Sequence, residues 1–222
     1  MRQLDRVAIA GGAGKVGRLL LPHLLERGRT VVPLVRRADQ AEELEGAGAT
    51  PRLLDIERAG VTDYLDVLDG VDAVVFSAGG GPDGNVERKR VVDLGGALAT
   101  IAACEELGIR RYVQISAIGV DEPPEPGAPE AWRAYVSAKR VSDRAVRDSD
   151  LDWTILRPAR LLDDPAVGLV QLGVDLPPTP VTRGDVAAVI AAVLDQPAAV
   201  YRQWDLVGGV LPIPEALARA AS

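Results

Sequence analysis

Two residues in the stretch YVSAK could move a proton: Tyr135 and Lys139. They stand four apart in a segment that reads as helix, so their side chains share one face. An ammonium beside a phenol favours the phenolate and lowers the tyrosine pKa. A tyrosine so placed can hand its proton to a carbonyl oxygen that is receiving hydride, and the lysine can hold sugar hydroxyls beside it. Lysine is scarce: the 25 basic residues include only Lys15, Lys89 and Lys139.

A second stretch, AGGAGKVGR at 10–18, is poor in side chains. It follows a short apolar run and opens a leucine-rich helical pattern. A glycine turn at that junction lets the backbone approach a diphosphate, whose charge the N–H groups and the helix N-terminus stabilise. In this reading Gly11 makes the turn, Gly14 permits the approach, and Gly17 lets the helix pack closely. Lys15 and Val16 stand at the helix start beside the diphosphate. A nucleoside-triphosphate loop does not fit, because Gly14-Lys15 is followed by Val16 rather than Ser or Thr. An NAD site normally carries an Asp or Glu at the end of the second strand. Here Arg36 and Arg37 stand there. A guanidinium binds a 2′-phosphate bidentately, so NADP(H) is expected over NAD(H), with Arg36 as the phosphate ligand.

The elements that must position these groups alternate. Apolar strand-like runs fall at 6–10, 30–37, 50–56, 72–81, 110–116, 151–158 and 201–208. Helical patterns lie between them, including a long one over about 86–107 and a late one starting at TRGDVA, 182–187. Proline-bearing segments at 119–131 and 162–181 read as loops that roof the site. The implied fold is α/β: a single Rossmann-like doubly wound parallel sheet with helices on both faces, one domain over 1–222. Ligands on such a sheet sit beyond the carboxyl ends of the strands, where the strand order reverses.

Composition narrows the partners. Of 222 residues, 47% are hydrophobic and 26% charged, as in ordinary globular chains. A net charge of -7 argues against nucleic acid, and no apolar run is long enough for a membrane span. One cysteine, Cys104, and one histidine, His23, leave no His/Cys metal set; both read as structural, Cys104 on an apolar helix face. The opening MRQLDRVAIAGG runs straight into the glycine motif, so no cleavable signal peptide is expected and a cytoplasmic location is the default. A small molecule is the expected partner, and nothing in the sequence sets an oligomeric state.

Several stretches together resemble the atypical short-chain dehydrogenase/reductase superfamily, in its NAD(P)H-binding branch with the NmrA-like and biliverdin reductase B-like proteins. They are GGAGKVGR at 11–18, VRR at 35–37, LLDIE at 53–57, GVDAVVFSAG at 70–79, GIRRYVQISAIG at 108–119, YVSAK at 135–139, DWTILRPARL at 152–161 and TRGDVA at 182–187. The resemblance implies that Asp55 and Ile56 contact the adenine. It implies that Ser77, Ala78 and Gly79 line the adenosine side, that Ser116 is delivered to the nicotinamide, and that Pro158 borders it. Relatives often carry two serines at 116–117. This chain has Ala117, so a donor to a developing oxyanion is absent at the second position, a loss commonly worth about 10²–10³ in rate. Ser116 is the candidate substitute. Arg160 stands where relatives often have glycine and is read as solvent-exposed or as meeting an acidic substrate. Trp132 either packs over the pocket or staples the helix.

Three readings follow. The first is an NADPH-dependent reductase of a small carbonyl or quinone-like compound, with Tyr135, Lys139 and Ser116 as its catalytic set. The second is an NADP(H)-binding sensor without turnover. The third is a non-redox isomerase or cyclase on the same scaffold.

Overall fold

The computed structural model describes residues 4–81 and 83–222; the part of the signal-peptide reading that rests on residues 1–3 lies outside them. Six strands succeed one another in parallel: β1 (Arg6–Ala10), β2 (Thr30–Val35), β3 (Arg52–Leu53), β4 (Ala73–Phe76), β5 (Arg111–Ile115) and β6 (Asp152–Pro158). Their spatial order is β3-β2-β1-β4-β5-β6. The reversal between β2 and β4 around β1 is the switch point, and it opens a crevice at the carboxyl ends Ala10 and Phe76.

The strands are buried on both faces, so neighbouring residues enter opposite cores. Val7 and Ile9 of β1 join one apolar cluster, and Ala8 and Ala10 join the other. β4 repeats the pattern, with Val75 in the first cluster and Val74 and Phe76 in the second. On the first face lies α1 (Lys15–Leu25), held through Leu20 and Leu24, beside a later helix, α7 (Arg183–Leu194), that brings Val186 and Ile190. Also on that side is α2 (Ala38–Gly46), with Leu44 inward. On the second face lies α3 (Val61–Leu68), with Tyr64 and Leu68 fully buried. A three-part helix and α6 (Glu130–Asp148) complete that face. Cys104 lies in this second core, fully buried, as its apolar spacing implied.

The three-part helix departs from the single helix expected over 86–107. It runs as α4 (Val86–Arg88), a π-helical segment (Lys89–Gly96) and α5 (Ala97–Leu107). A π turn holds an extra residue and is found mostly at functional sites. Two glycines fall within it. A Cβ on Gly96 would stand 2.6 Å from Ile56 and 3.2 Å from the Tyr64 hydroxyl, so the backbone can approach the sheet only there.

The carboxyl-terminal part holds further corrections. Residues 162–181 are not one loop. They include β7 (Leu161–Leu162), β8 (Leu169–Gly173) and β9 (Val181–Thr182). β8 enters the main sheet antiparallel to β10 (Arg202–Gly208) and to β11 (Leu211–Pro212). Its alternation is only five residues long and sits among prolines and glycines, which hid it in the sequence; Val170 and Leu172 point inward and Leu169 and Gln171 outward. The sheet therefore has nine strands in the order β11-β8-β10-β6-β5-β4-β1-β2-β3, and α8 (Ile213–Ala221) packs on its far end. Two strand ends are also shorter than expected. β2 stops at Val35, leaving Arg36 and Arg37 in the turn before α2, and β3 is two residues rather than 50–56.

Candidate functional site

The crevice at the switch point begins with the glycine turn between β1 and α1. Gly11 has φ +82, and a Cβ there would lie 2.8 Å from Ala78 Cα. The turn thus touches the end of β4 backbone to backbone. The Gly14 N–H donates to the Gly11 carbonyl at 2.9 Å. Gly14 is the N-cap of α1 and supplies no side-chain cap, so the helix presents bare N–H groups to the crevice. Bare amides at a helix start form a site for a phosphate. A Cβ on Gly17 would stand 2.7 Å from the Gly12 carbonyl, so Gly17 packs the helix on its own turn. Lys15 and Val16 follow; the Lys15 ammonium pairs with Asp163 at 2.6 Å.

Beyond the end of β2, Arg36 is half-exposed and pairs with Glu57 at 3.2 Å. Arg88, at the start of the three-part helix, reaches the same carboxylate at 3.1 Å. Two guanidinium groups thus converge on one carboxylate just beyond the end of β2. Arg37 turns away and grips Asp39 through two hydrogen bonds, which holds that carboxyl below its ordinary range. Asp55 accepts from the Glu57 N–H at 3.2 Å, and Ile56 packs on the π segment at Gly96. These groups and the glycine turn flank the main cavity rather than line it.

That cavity has a volume of about 850 Å³. Ser77, Ala78 and Gly79 from the end of β4 line one wall, and Ser116 and Pro158 from the ends of β5 and β6 line another. Val16 comes from the first turn of α1, and Tyr135 and Lys139 come from α6. A smaller hollow of about 280 Å³ lies at the amino ends of the strands, around Asp72 and Arg111. Strand amino ends face away from the switch point, so the large cavity is the candidate site.

Inside it, Trp132 stacks on Tyr135, centroids 5.5 Å apart. The tryptophan therefore packs over the pocket. Lys139 Nζ lies 5.9 Å from the Tyr135 ring centroid and donates to the Ile115 carbonyl at 3.0 Å. It faces the buried carboxylate of Asp93, 3.5 Å away. That carboxylate also accepts from the Gly80 N–H at 2.8 Å. The consequence reverses the expectation that lysine lowers the tyrosine pKa. Burial, then the charges of Asp93 and Asp143, push the Tyr135 phenol well above its ordinary value. Burial and those two negative charges disfavour the phenolate, so the phenol keeps its proton at neutral pH.

Beneath the cavity floor lies a second ionic group. The Ser116 hydroxyl donates to Asp143 at 2.7 Å. Arg157 donates to the same carboxylate at 2.9 Å and forks onto Asp121. Burial raises the Asp143 carboxyl against the pull of Arg157. Ser116 therefore lines the cavity with its proton committed to a carboxylate.

Sequence reasoning missed Lys89, Asp93, Asp143 and Arg157. A usable signal existed for Asp93: a lone acid inside the apolar run VVDLGGALATIAAC. Asp143 and Arg157 carry no local mark, because each looks like a surface charge until α6 is laid on β5 and β6.

The residues present fit a dinucleotide, with an uncapped helix start at the diphosphate and an open, partly apolar cavity next to it. The family model described as NAD(P)H-binding matches residues 11–197. The Saccharomyces cerevisiae UPF0659 protein YMR090W is 39% identical over 217 residues, 94% of this chain and 95% of that one. A Bacillus halodurans protein assigned to the NAD-dependent epimerase/dehydratases superposes with a TM-score of 0.89 at 33% identity, covering 97% of this chain and 99% of that one. ChuY of Escherichia coli O157:H7, an anaerobillin reductase, superposes with a TM-score of 0.79 at 26% identity, covering 93% and 98%. Fold, glycine turn and these likenesses agree: the chain belongs to the NAD(P)H-binding family, in the atypical short-chain dehydrogenase/reductase branch that includes the NmrA-like proteins.

Proposed function

We propose that this chain is an NADP(H)-dependent reductase of a small carbonyl or quinone-like compound, acting as one unit over residues 1–222 in the cytoplasm. The observation that carries the reading is that Tyr135 and Lys139 together face a cavity of about 850 Å³ beside an uncapped helix start. The bound cofactor would supply hydride. Gly11, Gly14 and the first amides of α1, at Lys15, Val16 and Gly17, would hold its diphosphate, with Arg36 at the 2′-phosphate and Arg37 bounding that turn. Asp55, Ile56, Ser77, Ala78 and Gly79 would border the adenosine, and Pro158 the nicotinamide.

Tyr135 would place its phenolic proton on the oxygen of the reduced carbonyl. Lys139 would hold the ribose hydroxyls and, through Asp93, leave the phenol protonated until needed. Ser116 would support the carbonyl side, limited by its bond to Asp143. That bond also favours a second reading, a nucleotide-binding sensor, because the Ser116 hydroxyl is then not free to join Tyr135 at a developing oxyanion.

The test has two arms. Arg36→Ala should weaken NADPH at least tenfold more than NADH in calorimetric titration; equal weakening removes the phosphate assignment. Tyr135→Phe should lower NADPH oxidation at least 100-fold with any active carbonyl from an aldehyde, ketone and quinone panel; an unchanged rate removes the tyrosine from the chemistry.

A further inference from the structure

Lys89 is the third lysine of the chain, and the reductase chemistry above does not use it. It lies in the π segment, only 7% exposed, on the wall of the main cavity. Its ammonium donates to the Gly81 carbonyl and lies 5.8 Å from the Tyr135 ring centroid. No carboxylate among the described residues forms an ion pair with it, and Asp83, which feels its charge, is held by Arg88 at 2.6 Å. The other buried lysine, Lys139, has Asp93. A buried ammonium with one carbonyl and one aromatic face leaves donors unused, and an uncompensated buried charge is costly. Such a charge belongs beside an anion that arrives from outside.

The rest of the wall agrees in sign. Arg160 lines the same cavity, exposed and without an ion pair among the described residues. Among the described residues Asp93 is the only carboxylate in the lining, and it is paired with Lys139 at 3.5 Å. This is a positive pocket in a chain of net charge -7. The acidic loop DEPPEPGAPE at 121–130 contributes no residue to the lining, and its Asp121 is held by Arg157. Low-dielectric walls of one sign concentrate ligands of the other.

We propose that the substrate carries an anionic group, a carboxylate or phosphate ester, which Lys89 binds next to Tyr135 while Arg160 draws it in from the rim. The inference rests on the reductase reading for its turnover readout only. An ammonium is a point charge and does not itself choose between the two anions.

The experiment compares three aldehydes with NADPH: 4-carboxybenzaldehyde, 4-formylphenyl phosphate and the neutral methyl 4-formylbenzoate. The wild type should prefer at least one anion over the ester by tenfold or more in kcat/KM; the two anionic arms show which group is taken. In Lys89→Met that ratio should fall at least tenfold, and Lys89→Arg should restore most of it. NADPH affinity should stay within threefold in both variants. An unaltered ratio in Lys89→Met overturns the proposal. So does a large loss of NADPH affinity, which would give Lys89 to the cofactor's phosphates. If none of the three aldehydes turns over, kcat/KM cannot be read, and the ketone and quinone arms of the panel decide the reductase reading separately. The anion site is then judged by titrating NADP-loaded protein with 4-carboxybenzaldehyde and 4-formylphenyl phosphate, following Trp132 fluorescence. Binding lost in Lys89→Met sustains the site, and binding absent from the wild type overturns it.

Discussion

Asp93→Asn should release the tyrosine. The asparagine oxygen can still accept from the Gly80 N–H, now 2.8 Å from the carboxylate, so the loop after β4 keeps its anchor. What is lost is the negative charge 3.5 Å from Lys139 Nζ. After burial, Asp93 is the largest influence holding the Tyr135 phenol up, and it sits beside an ammonium 5.9 Å from the ring centroid. At an effective dielectric of about 20, a unit charge at about that distance is worth about 2.8 kcal/mol. The Lys139 field is the same before and after the substitution, so the fall in the phenol pKa comes from losing the Asp93 repulsion, about 2 on this scale. The assay is a tyrosinate absorbance titration of wild type and Asp93→Asn, each corrected by its own Tyr135→Phe background. The correction isolates Tyr135 from Tyr64, Tyr112 and Tyr201. The Tyr135 midpoint should move to lower pH, and the alkaline fall of any reductase activity should move with it. A midpoint that stays or rises would show that Asp93 does not hold this phenol up, and the account of its protonation would fail.

Two more outcomes test the scaffold. Gly11→Ala forces an L residue to φ +82 with its Cβ 2.8 Å from backbone. It should cost about 1–3 kcal/mol, seen as a lower Tm; Gly28→Ala, at φ +72 with open space around it, should cost less, and equal losses would refute the contact argument. Burial lifts the Tyr64 phenol from 10.0 to about 12. A raised acid contributes stability that is intact below its unfolded pKa and lost as pH rises to the folded one. Between pH 10 and about 12 the wild type should therefore lose about 2–3 kcal/mol that Tyr64→Phe does not, measured by denaturant unfolding across that range.

The strand–helix alternation and the glycine turn were legible because their causes are local. Apolar runs of Val, Ile and Leu mark strands buried on both faces, and a glycine at the close approach of Gly11 to Ala78 is dictated by sterics. The short elements were not. β8 is five residues of alternation, and its place beside β10 depends on pairing across more than thirty residues of chain. Arg36 and Arg37 were assigned to a strand, where neighbours point opposite ways; they stand in a turn, and their separate partners, Glu57 and Asp39, part them instead.

By itself the sequence determined the class of fold, the bare glycine turn that opens α1, and the pairing of Tyr135 with Lys139 on one helical face. All three follow from periodicity and local sterics. Only the tertiary structure decided the charge state of that pair. Asp93 comes from a π turn 46 residues before Lys139, and Asp143 shares its helix but acts through Ser116 and Arg157. Electrostatic coupling depends on distance and burial in space. A chain pattern records neither, so the fate of the tyrosine's proton and the stranded charge of Lys89 appear only once the helices are laid on the sheet.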